Sequence, residues 1–442
     1  MPTDPSPRRR MPLHTKILLG LVLGAIAGIA ANIFLHDWPG LTWIVDNIAN
    51  PVGQVFLRLL FMIVVPLVFC SITLGVASLG DISRVGRVGG KTIMIFLLTT
   101  AFAVCIGLTL VNTVKPGKSL APETRAALLE RYAGDAAAKA TLAEQSEFGV
   151  NTFVNIIPSN PVAAAADGDY LALIFFALVF GMALTMLPAA KSKPVIDVLD
   201  GIGEAVMHMI HFAMKTAPVG VFGLIFSVTA LFGLDVLKAL MFFVVMVLAG
   251  LAFHQFIVLP LLAKLIVGIN PFLFIRRVRG LMITAFSTSS SNATLPTTIE
   301  TAERNFGVPK EIAGFVLPLG ATMNMNGTAL FEGMTVLFLA QVFGLSLSLG
   351  QQFIVIGMSV ITAVGTAGVP GGSIPLMVLV LQVVGVPPEG IAIIIGVDRI
   401  LDMSRTVPNV TGDVLTALIV TKSEKLPLVI PPEAAMQLEE VA

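Results

Sequence analysis

Charge is scarce in this sequence: Asp, Glu, Lys and Arg make up 12% of its 442 residues, about half their share in an ordinary soluble domain. With 56% of the residues hydrophobic, a water-soluble fold of this size is excluded. Neither sign of charge is in excess, 27 basic residues standing against 27 acidic ones, so net charge makes no case for a nucleic-acid partner. Cysteine is nearly absent. Cys70 and Cys105 both lie in apolar stretches and read as two buried thiols, which excludes a disulfide framework and a cysteine-built metal site. The charges that do occur inside apolar runs become the informative ones, because lipid makes each of them costly.

What the chain has in abundance is apolar runs long enough to cross a bilayer, which takes about 20 helical residues. They predict spans near 13–35, 47–79, 92–114, 150–188, 201–232 and 235–268. Arg8, Arg9 and Arg10 precede the first run, which is longer than the core of a secretory signal, so it reads as an uncleaved span with a cytoplasmic basic flank. Three later basic groups follow the second, fourth and sixth spans: Arg84, Arg87 and Lys91, then Lys191 and Lys193, then Arg276, Arg277 and Arg279. All fall on that same side. The segment 115–149, with acids and bases interleaved, reads as an extracytoplasmic polar loop.

Beyond residue 270 the apolar runs are interrupted by Ser287-Thr288-Ser289-Ser290-Ser291-Asn292-Ala293-Thr294-Leu295-Pro296 and by Gly365-Thr366-Ala367-Gly368-Val369-Pro370-Gly371-Gly372-Ser373. Each interruption lies between two half-length arms. Irregular backbone at membrane depth is tolerated only inside protein or along a cavity, so two re-entrant hairpins are expected, in the paired arrangement of inverted repeats. Ordinary turns outside the membrane are the alternative.

The last span, about 391–421, holds Asp402, Arg405, Asn409 and Asp413. At about 100° per residue they fall within roughly 80° of one another and make one polar stripe. A ligand carrying both signs of charge fits it, Asp402 holding an ammonium and Arg405 a carboxylate. Asn409 and Asp413 offer hard oxygens to a small cation. The competing reading is a packing ion pair between Asp402 and Arg405, with Asp398 and Arg399 flanking it. In the preceding span, Gly320-Ala321-Thr322-Met323-Asn324-Met325-Asn326-Gly327-Thr328 suggests local unwinding at Gly327, and unwound carbonyls are a usual intramembrane way to coordinate sodium. A polar cavity lining without an ion is the alternative. His208, His211 and Lys215 read as interface contacts or a proton relay, and a buried Glu332 as a proton carrier.

On these residues the chain resembles the dicarboxylate/amino acid:cation symporter family, from the first span to about Lys422. The serine-rich hairpin, the Asn-Met-x-Gly-Thr patch, the Gly-Thr-Ala-Gly-Val-Pro-Gly tip and the Asp-x-x-Arg-Thr-x-x-Asn-Val-x-Gly-Asp stripe carry the resemblance, in that order. It implies an all-α polytopic membrane protein with eight transmembrane helices, two re-entrant hairpins and inverted repeats, working as an elevator-type homotrimer in the cell (inner) membrane with both termini cytoplasmic. Under it, residues 1–12 and 423–442 are tails, 13–80 and 150–232 a scaffold, and 81–114 with 235–422 a transport domain whose hairpins span about 271–300 and 350–385.

The resemblance also implies roles. Asp402 takes the substrate amino group and Arg405 its side-chain carboxylate, with Thr406, Asn409, Thr328, Ser289, Ser291, Val369 and Gly371 completing the pocket. One cation site falls on Gly320, Asn324, Asn409 and Asp413, and a second on carbonyls of Thr322, Ala363, Val364 and Thr366. A third uses Thr99, Thr100, Asn324 and position 326, where the family's aspartate is Asn326 and an aromatic hydroxyl is replaced by Phe96. A neutral amide offers only a dipole, so that site is weakened. No cofactor beyond transported cations is implied. An acidic amino acid carried with sodium follows, with proton coupling or a C4-dicarboxylate as rivals. An intramembrane serine hydrolase on Ser289 to Ser291 would need a base within reach, and the hairpin sequence supplies none. A channel is the remaining competitor.

Overall fold

The computed structural model describes residues 11, 13–35, 38–78, 87–132, 157–167, 169–366 and 371–430. Among these the regular structure is entirely helical: α1 (Leu13–Leu35), α2 (Asn50–Ser78), α3 (Arg87–Val114), α4 (Tyr170–Thr185), α5 (Ala189–Phe232), α6 (Leu234–Phe253), α7 (Pro271–Thr288), α8 (Ser291–Glu300), α9 (Lys310–Met323), α10 (Asn326–Val342), α11 (Leu349–Gly365), α12 (Ile374–Val383) and α13 (Ile391–Ser423). Short turns of helix extend α2 back to Pro39 and α6 on to Val267. Five of the described helical stretches are long and apolar enough to cross a membrane.

The expected spans appear with shifted ends. Helix α5 begins at Ala189 rather than near 201, so Lys191 and Lys193 lie in its first turns. The fourth span is cut down to the 16 residues of α4, because Asp169 caps its start by accepting from the Ala172 N–H; a short helix, Pro161–Asp167, precedes it. The polar segment 115–149 opens with a 3₁₀ turn and the helix Pro122–Tyr132; Arg84, Val369 and 133–149 lie outside the described residues. Cys70 is buried as expected, but Cys105 is exposed on the outer face of α3, the side on which Phe102 is also uncovered.

Helix α2 packs on α4 and α5, and α1 lies against α5. Gly20, Gly24 and Gly28 repeat every fourth residue on that face, and a Cβ at Gly24 would stand 2.8 Å from the Phe222 carbonyl oxygen. Small residues at this spacing let helices associate by close backbone packing where lipid supplies no hydrophobic drive. Helices α3 and α6 to α10 gather around α13, which is buried on nearly every side as a helix inside a bundle should be, while α11 packs on α3 and α10 and α12 on α2. Two apolar clusters meet along it. Residues of α13 up to Leu401 join one cluster, and those from Val410 onward join the other. The polar stripe occupies the junction.

Candidate functional site

Three interruptions of helix surround that junction: the tips of two hairpins and a break between α9 and α10. Asn270 caps α7 by accepting from the Phe272 N–H at 2.9 Å, ahead of Pro271, a residue preformed for a first turn. At the far end Ser289 adopts a left-handed conformation (φ 52°) and the extended Ser290 caps α8, its Oγ accepting from the Ala293 N–H at 3.1 Å. Pro296 continues inside α8, so the first hairpin turns at two serines alone. The second hairpin starts from a capping box between Ser348 and Gln351 and runs through its tip, of which residues 367–370 lie outside the described part.

The break between α9 and α10 falls at Asn324 and Met325, whose ψ angles of 72° and 62° leave the helical region. The unwinding expected at Gly327 is therefore displaced toward the N-terminus, to the two residues before α10. Gly327 lies inside α10, and its lack of a side chain lets the helix approach the Arg405 backbone and the Pro408 ring, where a Cβ would clash.

One small cavity collects Ser289, Ser291, Met325, Thr328, Thr366, Ser373, Asp402, Arg405, Thr406 and Asn409. Seven of these are expected substrate residues, and Thr366 was expected in a cation site. The Asp402 and Arg405 side chains do pair, with Arg405 Nη2 at 2.8 Å and Nε at 3.1 Å from Asp402 Oδ1. They are not sealed off, since both line the cavity. Arg405 Nη1 also donates to Asp398 Oδ1 at 3.0 Å, and the guanidinium stacks 4.6 Å from the centre of the Phe331 ring, a contact of the kind that gains strength when desolvated.

Gly371 N donates to Asp402 Oδ2 at 3.2 Å, tying the second hairpin to the stripe. Thr406 donates to the Asp402 carbonyl. Asn409 caps α10: its Oδ1 accepts from the Gly327 N–H at 2.8 Å, and its Nδ2 donates to Thr328 Oγ1 at 3.1 Å. Two buried hydroxyls in this cavity, those of Ser289 and Ser373, have no hydrogen-bond partner. A buried polar group left unpaired costs about 1–3 kcal/mol, so the two hairpin tips present donors ready for a ligand.

The cation candidates divide by place. Asn324 Nδ2 donates to Asp413 Oδ1 at 2.8 Å, and Gly320 abuts the same carboxylate so closely that a Cβ would not fit. Asn409, assigned to the same set, turns its amide to α10 instead. Thr100 donates to Asn326 Oδ1 at 2.8 Å, with Thr99 at 3.5 Å, while Asn326 Nδ2 and Asn324 Oδ1 lack partners; Phe96 is buried nearby in α3. Thr322, Val364 and Thr366 line a larger cavity of about 520 Å³ together with Asn292 and with Asp200, Glu204, His208 and His211 of α5. Ala363 is buried away from it.

Three features escaped the sequence. Phe331 carried no signal separating it from packing residues, Ser373 was marked only as the end of the second interruption and not as a pocket residue, and the partnership of Asp398 and Arg405 required seven residues of helix to bring the two side chains together. Glu332 is fully buried; its Oε2 accepts from Thr362 at 2.7 Å and its Oε1 has no partner. The His208 and His211 rings stand 6.3 Å apart, and Lys215 is exposed.

Residues 13–423 match the family model described as the sodium:dicarboxylate symporter family. The chain is 39% identical over 416 residues, 94% of its own length and 95% of the other, to a proton/sodium-glutamate symport protein of Geobacillus stearothermophilus. It is 37% identical to a proton/glutamate-aspartate symporter of Escherichia coli K12, covering 93% of each chain. A C4-dicarboxylate transport protein of Bacillus subtilis 168 is 34% identical, again over 93% of each.

Proposed function

This chain belongs to the sodium:dicarboxylate symporter family, and on that footing we propose that it is a secondary active symporter taking up aspartate or glutamate with co-transported cations, sodium foremost. It is an integral membrane protein of a transporter family, and its hairpin serines are ligand groups rather than nucleophiles.

The observation that carries the substrate reading is the buried Asp402–Arg405 pair facing one cavity with two unpartnered hydroxyls. An acidic amino acid has a counterpart for each charge. Its ammonium replaces Arg405 on Asp402, its side-chain carboxylate replaces Asp402 on Arg405, and its α-carboxylate meets the serines at the start of α8, the positive end of that helix's dipole. Charge balance is kept throughout, which a buried site demands. The cavity measures about 20 Å³, room for about one water molecule, so admission of substrate requires the second hairpin tip to withdraw and the ion pair to open. A C4-dicarboxylate would leave Asp402 opposite another anion, which favours the amino acid.

Asp413 with Asn324, and Thr99 and Thr100 with Asn326, are the groups we assign to cations. Proton coupling is the second reading, favoured by Glu332, a wholly buried carboxyl with one unpartnered oxygen. In the proposed architecture eight spans and two re-entrant hairpins form a homotrimer in the inner membrane with cytoplasmic termini. Helices α1, α2, α4 and α5, linked by the packing of α1 on α5, α5 on α2 and α2 on α4, serve as scaffold, and α3 with α6 to α13 as the moving elevator.

Proteoliposomes with sodium and proton gradients imposed separately test the proposal. Labelled aspartate should concentrate inside under at least one gradient and collapse to equilibrium when ionophores dissipate it. Flux that only ever equilibrates is channel behaviour and would refute symport.

A further inference from the structure

We infer that Arg399 is a positioning residue that sets how strongly the site prefers substrates bearing an amino group, an inference that rests on the reading of Asp402 as the ammonium partner. The two oxygens of Asp402 are used differently. Oδ1 receives Arg405 at 2.8 and 3.1 Å; Oδ2 receives the Gly371 N–H at 3.2 Å and lies 3.6 Å from Arg399 Nη1. Asp398, Arg399, Asp402 and Arg405 thus form a group of two acids and two guanidiniums within two turns of α13, and their charges cancel.

The two arginines occupy unlike places. The Arg405 side chain is 2% exposed and lines the cavity, whereas that of Arg399 is 20% exposed and does not. Arg399 therefore acts on a bound substrate through Asp402. Its Nε is buried without a partner, so the guanidinium is held in place by the acid it faces rather than by a network of its own.

When a substrate carboxylate draws Arg405 away, Asp402 keeps one cation at its second oxygen and never stands as a bare buried carboxylate, a state that is strongly destabilising. The same cation weakens what Asp402 offers the substrate. An ammonium is attracted less than to an isolated acid, and a dicarboxylate without an amino group is repelled less. Arg399 narrows the gap between the two.

The test uses the full-length protein in proteoliposomes, with labelled aspartate taken up under an imposed cation gradient and unlabelled aspartate or succinate as competitor. The readout is the ratio of the succinate to the aspartate inhibition constant. For one partly solvated charge a few ångströms from the acid, Arg399→Gln should raise that ratio about three- to tenfold, and Arg399→Lys, which keeps the charge, should hold it near the wild-type value. Where uptake by the Gln variant is too slow, displacement of bound label in detergent gives the same ratio. An unchanged ratio in Arg399→Gln, or both constants rising by one common factor, overturns the role of Arg399 alone. Succinate that fails to compete in the wild type also overturns it. Wild-type protein that accumulates no aspartate sinks the functional reading as well, and shows it before any substitution is made.

Discussion

Replacing Arg405 with cysteine removes the one cation among the described residues that touches both Asp398 and Asp402. In the ligand-free protein the two acids are left with Arg399 at 3.6 Å from one of them, and breaking a buried pair by deleting one partner typically costs about 3–5 kcal/mol. Lost packing against Phe331 adds to this. In the bound state the substrate's side-chain carboxylate loses its charge-assisted hydrogen bonds, and truncating one partner of such a buried pair costs about 2–5 kcal/mol of binding. At about 1.4 kcal/mol per tenfold, the aspartate constant should rise by roughly 30-fold to several thousandfold. Labelled aspartate uptake in proteoliposomes should therefore vanish at micromolar substrate, while the variant still elutes from size-exclusion chromatography where the wild type does. Uptake of a neutral amino acid such as serine is expected to persist or appear, because Asp402 and the hairpin serines remain. Undiminished aspartate affinity in a folded Arg405→Cys protein would refute the assignment of the guanidinium to the substrate.

Asp413→Asn should raise the sodium concentration for half-maximal uptake at least tenfold, since it replaces the carboxylate at Asn324 and Gly320 with a dipole; an unshifted sodium titration would move the cation elsewhere. Gly24→Val pushes a side chain into the α5 backbone at Phe222, and overpacking of this kind costs about 1–3 kcal/mol, so the unfolding temperature in detergent should fall while aspartate affinity in the folded fraction stays near wild type. The Glu424 carboxyl, hydrogen-bonded and attracted by Arg87 and Lys91, is held down to about 2 from its ordinary 4.5. Its folded pKa is depressed, so its contribution is complete above about pH 4.5 and fades as pH falls toward 2. Wild-type thermal stability should accordingly drop between pH 5 and pH 3 more than that of Glu424→Gln; parallel curves would show that the clamp contributes nothing measurable.

Much of this was legible without coordinates because its physics is local. The apolar runs had to be spans, since nothing else hides so much hydrocarbon from water, and the positions of α1, α2, α3 and α6 follow from them to within several residues, as does the end of α5 but not its start. The helical repeat put Asp402, Arg405, Asn409 and Asp413 on one face, because 3.6 residues per turn leaves no freedom in the matter. Interrupted hydrophobicity marked both hairpins and the break before α10, though the break lies at Asn324 and Met325 rather than at Gly327. Glycine there serves the close approach of two helices, which a single segment cannot disclose.

Tertiary structure alone decided the pairings between helices. That Arg405 rests on Phe331 and faces hydroxyls from two hairpin tips depends on separate segments of the chain meeting at one junction. Asn409 shows the same limit: the sequence offered it to substrate and cation alike, and packing turned its amide onto the start of α10. Periodicity fixes the direction in which a side chain leaves its own helix; which partner meets it there is settled only when the helices have packed.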